Sequence, residues 1–390
     1  MKISVFYLMV ILLSSSFCYA QSAGFVFKNG EGEYACYRIP AIIRNANGDL
    51  LAFAEARKKD CDDFGDIDIV MKRSVNNGKS WSALEIVVDN GLFKAGNPAP
   101  VVDSQDPRFP QGRVLLVYNT ATGSEADARQ GRNVREISFI SSSDNGKTWS
   151  AAVNITTAVH KPLATWYNAD YNFKEDWRTN ALTPGHALQF STGKNKGRIF
   201  VAANHSVGAK KDKSDFDNYR AHCFYSDDHG ATWQLGADVP LPGGNESTAA
   251  ELSDGTVIQN IRYQNKEVKS RVLAYSKNAG ETWDTCYVEY DLPDPICEGS
   301  MIDIKSKGKH FLLFSNPSSK TSREKMTIHV SKDDGHSWVN SFMVDPGPSA
   351  YSDLVHIKPR HIGILYEKGN EGGIVFTKIS VDKILSAVKK

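Results

Sequence analysis

Gly146-Lys147-Thr148 has the residue types that close a phosphate-binding loop. Asp60, Asp62 and Gly65 have those that begin a calcium loop, and Gly30-Glu31-Gly32-Glu33-Tyr34-Ala35 those of a dinucleotide-binding turn. Each fails on its own chemistry. Ser141 stands where the phosphate loop needs its leading glycine, and Met71 where calcium needs a bidentate glutamate. Pro40 forbids the helix whose N-terminus would face a pyrophosphate. With 46 basic and 45 acidic side chains the chain is nearly neutral, so bulk charge recruits neither nucleic acid nor an anionic membrane. Any anion must be held locally, by residues scattered along the chain, and the architecture has to gather them.

That architecture is announced by one eight-residue phrase that occurs five times: Ser74 to Trp81, Ser142 to Trp149, Ser226 to Trp233, Ser276 to Trp283 and Ser331 to Trp338. In each copy an Asp or Asn two places after the Ser can accept backbone N–H groups in a tight turn. The following Gly supplies a positive φ, and the closing Trp packs beneath. Strand-like runs precede every copy (IDIVMKRS, EISFISS, AHCFYS, VLAYS, MTIHVS), so the repeated unit reads as strand, stereotyped hairpin, strand. Further β-like runs lie at 113–118, 198–203, 256–261, 310–314, 362–366 and 374–379. Helical periodicity is confined to 381–390, where Ile384, Leu385 and Val388 mark a short amphipathic C-terminal helix. Repeats of this kind predict an all-β propeller whose blade ends meet around a central depression, bringing distant residues together on one face.

Lys2, the apolar stretch 5–13 and the small residues ending at Ala20 read as a secretory signal peptide over residues 1–20, leaving 21–390 as a single domain. A lipid anchor at Cys18 is a poorer match because bulky Phe17 precedes it, and no other segment is apolar enough to span a membrane. Five cysteines remain in the mature chain. Cys36 with Cys61 and Cys286 with Cys297 are possible disulfides, and five thiols are the equal alternative, Cys223 being the odd one in either case.

Tyr37-Arg38-Ile39-Pro40 near the mature N-terminus, followed by the repeated Ser-x-Asp-x-Gly-x-Thr-Trp boxes, resembles the bacterial exo-sialidases (neuraminidases), a family of six-bladed β-propellers. The resemblance covers essentially the whole mature chain and implies three arginines for the substrate carboxylate. Arg38 lies in the Arg-Ile-Pro motif, Arg262 in Asn260-Ile261-Arg262-Tyr263, and Arg323 just before the fifth box. A guanidinium suits the task because its planar fork pairs a carboxylate bidentately and keeps its charge at any working pH. Glu367 resembles the residue that steadies the first arginine. Arg57 resembles one that reaches the far hydroxyls of the sugar. Asn97 stands where many relatives have an Asp, a departure that bears on preference at C4 or among sialic acid variants.

The same resemblance implies Tyr351 as nucleophile, Glu246 as its base and Asp63 as general acid, with Asp62 as fallback. Asp66 and Asp68 are expected to serve the turn and the following strand, and Glu251, the rival base, an ordinary strand position. To donate a proton near neutrality, Asp63 needs a pKa raised by burial or by neighbouring carboxylates. The implied reaction is retaining hydrolysis of terminal α-linked sialic acid from glycoproteins, glycolipids or oligosaccharides, with no metal or organic cofactor. Trans-sialidases and anhydro-sugar-forming relatives share the triad, and a non-catalytic glycan-binding propeller would share the boxes. Sequons at Asn154, Asn204 and Asn245 include one beside the implied base, where a glycan would crowd the pocket. This points to a bacterial, periplasmic or secreted setting.

Overall fold

The computed structural model describes residues 24–208, 216–338, 340–357 and 359–387. Residues 1–20, expected to be a signal peptide, lie outside them. Among the described residues almost all regular structure is antiparallel β, in four hydrogen-bonded sheets, with four short α-helices at Glu125–Arg129, Thr156–Val159, Gly369–Gly372 and Val381–Ser386. The last begins where the expected C-terminal helix does and ends at Ser386, with Val381 and Ile384 buried, while Val388 lies outside the described residues.

Within each sheet successive strands are mostly neighbours. One sheet runs Gly244–Glu251, Val257–Tyr263, Ser270–Ser276, Thr285–Pro293 in unbroken meander. Its first strand carries small and polar residues and its third none that is exposed, because the inner strands are flanked by other sheets on both faces. The 18-residue strand Asn340–Ile357 pairs with Glu324–Ser331 by its first half and with His361–Lys368 by its second, fusing two such meanders. The N-terminal strand Phe25–Lys28 pairs with Gly373–Ser380, so the first strand of the chain completes the last sheet. That closure joins the two ends by backbone hydrogen bonds.

The five boxes explain why the sheets follow one another. In every copy the Ser hydroxyl accepts from the Gly N–H at 2.7–2.8 Å. The Asp or Asn side chain accepts from the Ser/Thr N–H four residues later at 2.8–3.0 Å. The Gly has no room for a side chain. At Gly78, with φ +82°, a Cβ would meet the Phe376 ring, and at Gly146 one would meet Leu51 at 2.8 Å. Each box therefore keys onto the preceding sheet unit, the first box onto the last strand of the chain. Trp81 likewise sits edge-on to Phe376, and Trp149 to Phe53.

Apolar side chains gather between consecutive units rather than at one centre. One cluster joins Leu50, Ala52 and Val70 to Leu365, Ile374 and Phe376, while another joins Val101, Leu115 and Val117 to Ile199, Val201 and Phe224. At the centre, buried Asp353 accepts from the Ile42 and His186 amides at 2.7 and 3.0 Å and from the Ser300 hydroxyl at 2.7 Å. One carboxylate thus ties strands that are far apart in sequence. The chain builds a propeller-like body whose strand ends converge.

Candidate active site

The residues that converge are re-aimed by irregularities in the innermost strands. Strand Cys36–Arg44 shifts register between Arg38 and Ala41, with Ile39 at φ 59°, and Lys94–Asp103 shifts between Gly96 and Ala99, with Asn97 at φ 51°. Gly244–Glu251 shifts between Gly244 and Ser247, and Asn340–Ile357 shifts between Ser349 and Ser352 relative to its neighbour. An extra residue on one strand turns a side chain out of the pleat. Here the bulges hold Arg38, Asn97, Glu246 and Tyr351.

Tyr351 is the hub. Its hydroxyl donates to the Glu246 carboxylate, 2.8 and 2.7 Å from the two oxygens, and accepts from Arg262 Nη1 at 2.9 Å. The same Nη1 makes a short ion pair with Glu246 Oε2. The guanidinium carbons of Arg38 and Arg323 stand 5.3 and 5.6 Å from the centre of the Tyr351 ring. Three arginines from three separate sheet units thus surround one phenol. Arg38 is tied to Glu367 at 3.2 Å, and Glu367 also accepts from the Ile39 amide at 2.9 Å. Tyr351 is 7% exposed. Burial, and then the charge of Glu246, push its pKa well above the ordinary tyrosine value, against the pull of Arg262 and Arg323. At rest it is a neutral phenol with its acceptor in place.

Asp63 lies opposite, on an exposed loop joining strands Leu50–Arg57 and Ile67–Ser74, with its side chain 81% exposed. Arg57 donates to it at 3.0 Å, and Arg38 Nη1 lies 3.5 Å away. Lys94 donates to its backbone carbonyl at 3.2 Å, and the Cys36–Cys61 disulfide fastens the loop to the strand bearing Arg38. The expected upward pKa shift is corrected here. The protein atoms around Asp63 do push its pKa up, but Arg57, Lys94 and Arg38 together hold it below the ordinary carboxylate value. Its neighbours are cations and not carboxylates. Asp62 also reaches the cavity, while Asp66 pairs with Lys58 and Asp68 accepts from the Tyr34 hydroxyl.

A hollow of about 380 Å³ is lined by Arg57, Asp63, Asn97, Glu246 and Tyr351 together with Lys94, Arg135, Thr179, Asn204 and Tyr219. A second hollow of about 210 Å³ opens beside Arg38, Arg323 and Glu367. Arg57 is fully buried, its other arm on Glu55 at 2.6 Å, and Lys94 pairs with the second oxygen of Glu55 at 3.2 Å. The Asn97 amide donates to the Leu182 carbonyl at 2.9 Å, and its backbone N–H donates to Glu55.

Glu55 and Lys94 were not singled out from the sequence. A lone Glu inside LLAFAEAR, two residues from an Arg on the same strand face, was the available signal. The strap 294–298 also escaped notice. Arg323 donates to the Ile296 carbonyl, Cys297 packs on Tyr351, and buried Glu298 accepts from the Ser352 amide. Cys297 and Cys286 are free thiols, as is Cys223. Glu251, the rival base, anchors the loop at Ser191 and Thr192 by four hydrogen bonds and takes no part here.

Comparison with known proteins returns one theme. A family profile described as BNR repeat-like domain matches residues 48–364. The sialidase of Micromonospora viridifaciens is 31% identical over 360 residues, spanning 87% of this chain and 51% of that protein. Sialidase-2 of Cricetulus griseus is 30% identical over 385 residues, spanning 92% of this chain and 95% of that one. The chain therefore spans about half the length of the first relative and nearly all of the second. Among solved structures, a Hadza microbial sialidase superposes with a TM-score of 0.76 at 26% identity, over 90% of this chain and 67% of that chain.

Proposed function

Because the chain belongs to the sialidase family with BNR repeats, we propose that it is an exo-sialidase: it removes terminal α-linked sialic acid from glycoproteins, glycolipids or oligosaccharides with retention at the anomeric carbon. The observation that carries this reading is the Tyr351 hydroxyl bonded to both oxygens of Glu246 inside a ring of three arginines. In this reading Arg38, Arg262 and Arg323 hold the sugar's carboxylate, and Glu367 keeps Arg38 in place. Arg57 and Asn97 face the far side of the ring, where the Asn97 side chain offers an amide and no charge.

The substrate's carboxylate sits on the carbon that must be attacked. An Asp or Glu nucleophile at about 4 Å would meet it with a repulsion of about 4 kcal/mol at an effective dielectric near 20, enough to slow attack about a thousandfold. A neutral phenol avoids that, and Glu246 takes its proton as the bond to C2 forms. Asp63 then protonates the departing glycosidic oxygen and, as a carboxylate, activates the water that releases the sugar. Its low pKa in the free protein is set partly by Arg38. A bound carboxylate neutralises that cation and excludes water, which raises the pKa toward that of an acid able to donate.

The antiparallel meanders support a six-bladed reading of a single domain, with the two long fused sheets each counted as two blades and the N-terminal strand closing the sixth. An exported bacterial setting remains part of the proposal. Incubation with an aryl sialoside tests the activity. Free sialic acid, α-configured when first released, is the expected product; no release of aryl alcohol refutes the reading, and an anhydro sugar or a transfer product replaces hydrolysis by a related reaction.

A further inference from the structure

Outside the pocket, one set of side chains has the makings of a second site. His205 lies on strand Ile199–Val207 and His222 on its neighbour Tyr219–Ser226. Ala203 is registered opposite His222, so the period-two pleat puts His205 and His222 on the same face as diagonal neighbours. Asp238 comes from the loop beyond Gln234–Leu235, which is fastened to the second strand where Val239 N–H donates to the Ala221 carbonyl at 2.8 Å. One donor atom from each of the three side chains lies within 4.8 Å of the other two.

The geometry inside that set is specific. The Nδ1 atoms of His205 and His222 face each other at 3.2 Å, and His205 Nε2 is 3.6 Å from Asp238 Oδ2. Both imidazoles are wholly buried, and the Nε2 atoms of both have no hydrogen-bond partner among the described residues. Buried polar atoms are seldom left so, since each costs about 1–3 kcal/mol. Trp177 stacks on His205 at 3.6 Å between ring centres and fixes its plane. Asp238 is 43% exposed and gives the set a way in from solvent.

We propose that His205, His222 and Asp238 form a binding site for one divalent transition-metal ion, with zinc the best match to two imidazoles and one carboxylate. Calcium and magnesium, which take oxygen ligands, do not suit it. The ion would be structural. It would staple the two strands to the 236–243 loop directly behind Asn204 and Tyr219, which line the cavity, and it would touch no reacting group. Lys161 and Arg220 act on the same carboxylate, so moderate affinity is expected.

The test is calorimetric titration of the chelator-stripped full chain with zinc chloride, beside Asp238→Asn and His205→Asn. The expected result is one zinc per chain, bound at least tenfold more weakly by both variants, with a melting temperature raised by zinc only in the parent. Asp238, being half exposed, keeps the test valid if the buried His205→Asn chain does not fold. No zinc binding by the parent, or equal binding by Asp238→Asn, overturns the proposal and leaves two histidines sharing a proton. The readout is metal binding, so it is independent of the sialidase reading.

Discussion

The two halves of the candidate active site are built in opposite ways. Tyr351 and Glu246 sit on strands, mostly buried, with every oxygen engaged by a fixed partner. Asp63 sits on an exposed loop, steadied by Arg57, by Lys94 through its carbonyl and by one disulfide. The difference suits the tasks proposed for them. A phenol is a weak nucleophile, useful only if its proton acceptor is already at hydrogen-bond distance, whereas an acid that serves a leaving oxygen and then a water gains from mobility and solvent.

The largest expected effect is on the rigid half. Tyr351→Phe removes the oxygen proposed as nucleophile and should lower turnover of an aryl sialoside by a factor on the order of 1,000 or more, with KM within a few-fold. Undiminished turnover would end the nucleophile assignment. Asp63→Asn should lower kcat/KM on the order of 100-fold or more for an alkyl or sugar leaving group, and far less for an aryl one that departs without a proton. Equal losses for both leaving groups would mean that Asp63 acts by position and not by proton transfer.

A smaller effect tests the loop tether. Replacing both Cys36 and Cys61 by Ser opens a link of sequence separation 25, worth about 3.5 kcal/mol in the chain-entropy model. Loosening the Asp63 loop should lower kcat several-fold while leaving the nucleophile intact, so that single-turnover trapping by a fluorinated sialoside still labels Tyr351. A melting temperature unchanged by the double replacement would remove the tether from the account.

The smallest effect is in the pH profile. Asp63 in the free protein is held below the ordinary carboxylate range, so it is ionised at neutral pH; a bound anion should raise it. Because the acid form is the one that donates, kcat should fall as pH rises, with an apparent pKa above that of the free group, and the optimum should lie on the acid side. A kcat flat from mildly acidic to alkaline pH would contradict this. So would an alkaline limb at the same pKa with and without saturating substrate.

The boxes were readable without coordinates because their chemistry is local. Ser, Asp or Asn, Gly and Trp within eight residues make the turn wherever it stands, and the five turns form with the same hydrogen bonds. The innermost strands were harder. Cys36–Arg44, Lys94–Asp103, Trp177–Leu182 and Gly244–Glu251 precede no box and carry polar or small residues where a strand pattern wants apolar ones. Those irregular residues are the ones that face the pocket. The direction of the Asp63 shift was misjudged for a related reason. Arg57 was legible six residues away, but Arg38 approaches the same carboxylate and Lys94 the backbone carbonyl of the same residue, both from other strands.

What the amino-acid order decides on its own is whatever a few consecutive residues can enforce: the five hairpins, the strands that feed them, the terminal amphipathic helix and the residue types available for holding a carboxylate. Tertiary structure alone decides the bulges that turn Arg38, Asn97, Glu246 and Tyr351 inward, the choice of Cys36–Cys61 over Cys286–Cys297, and the pairing of His205 with His222. The reason is range. Turns and periodicities are set over a few bonds, while a pKa, a disulfide or a shared donor depends on side chains that the closing of the sheets brings within a few ångström of each other.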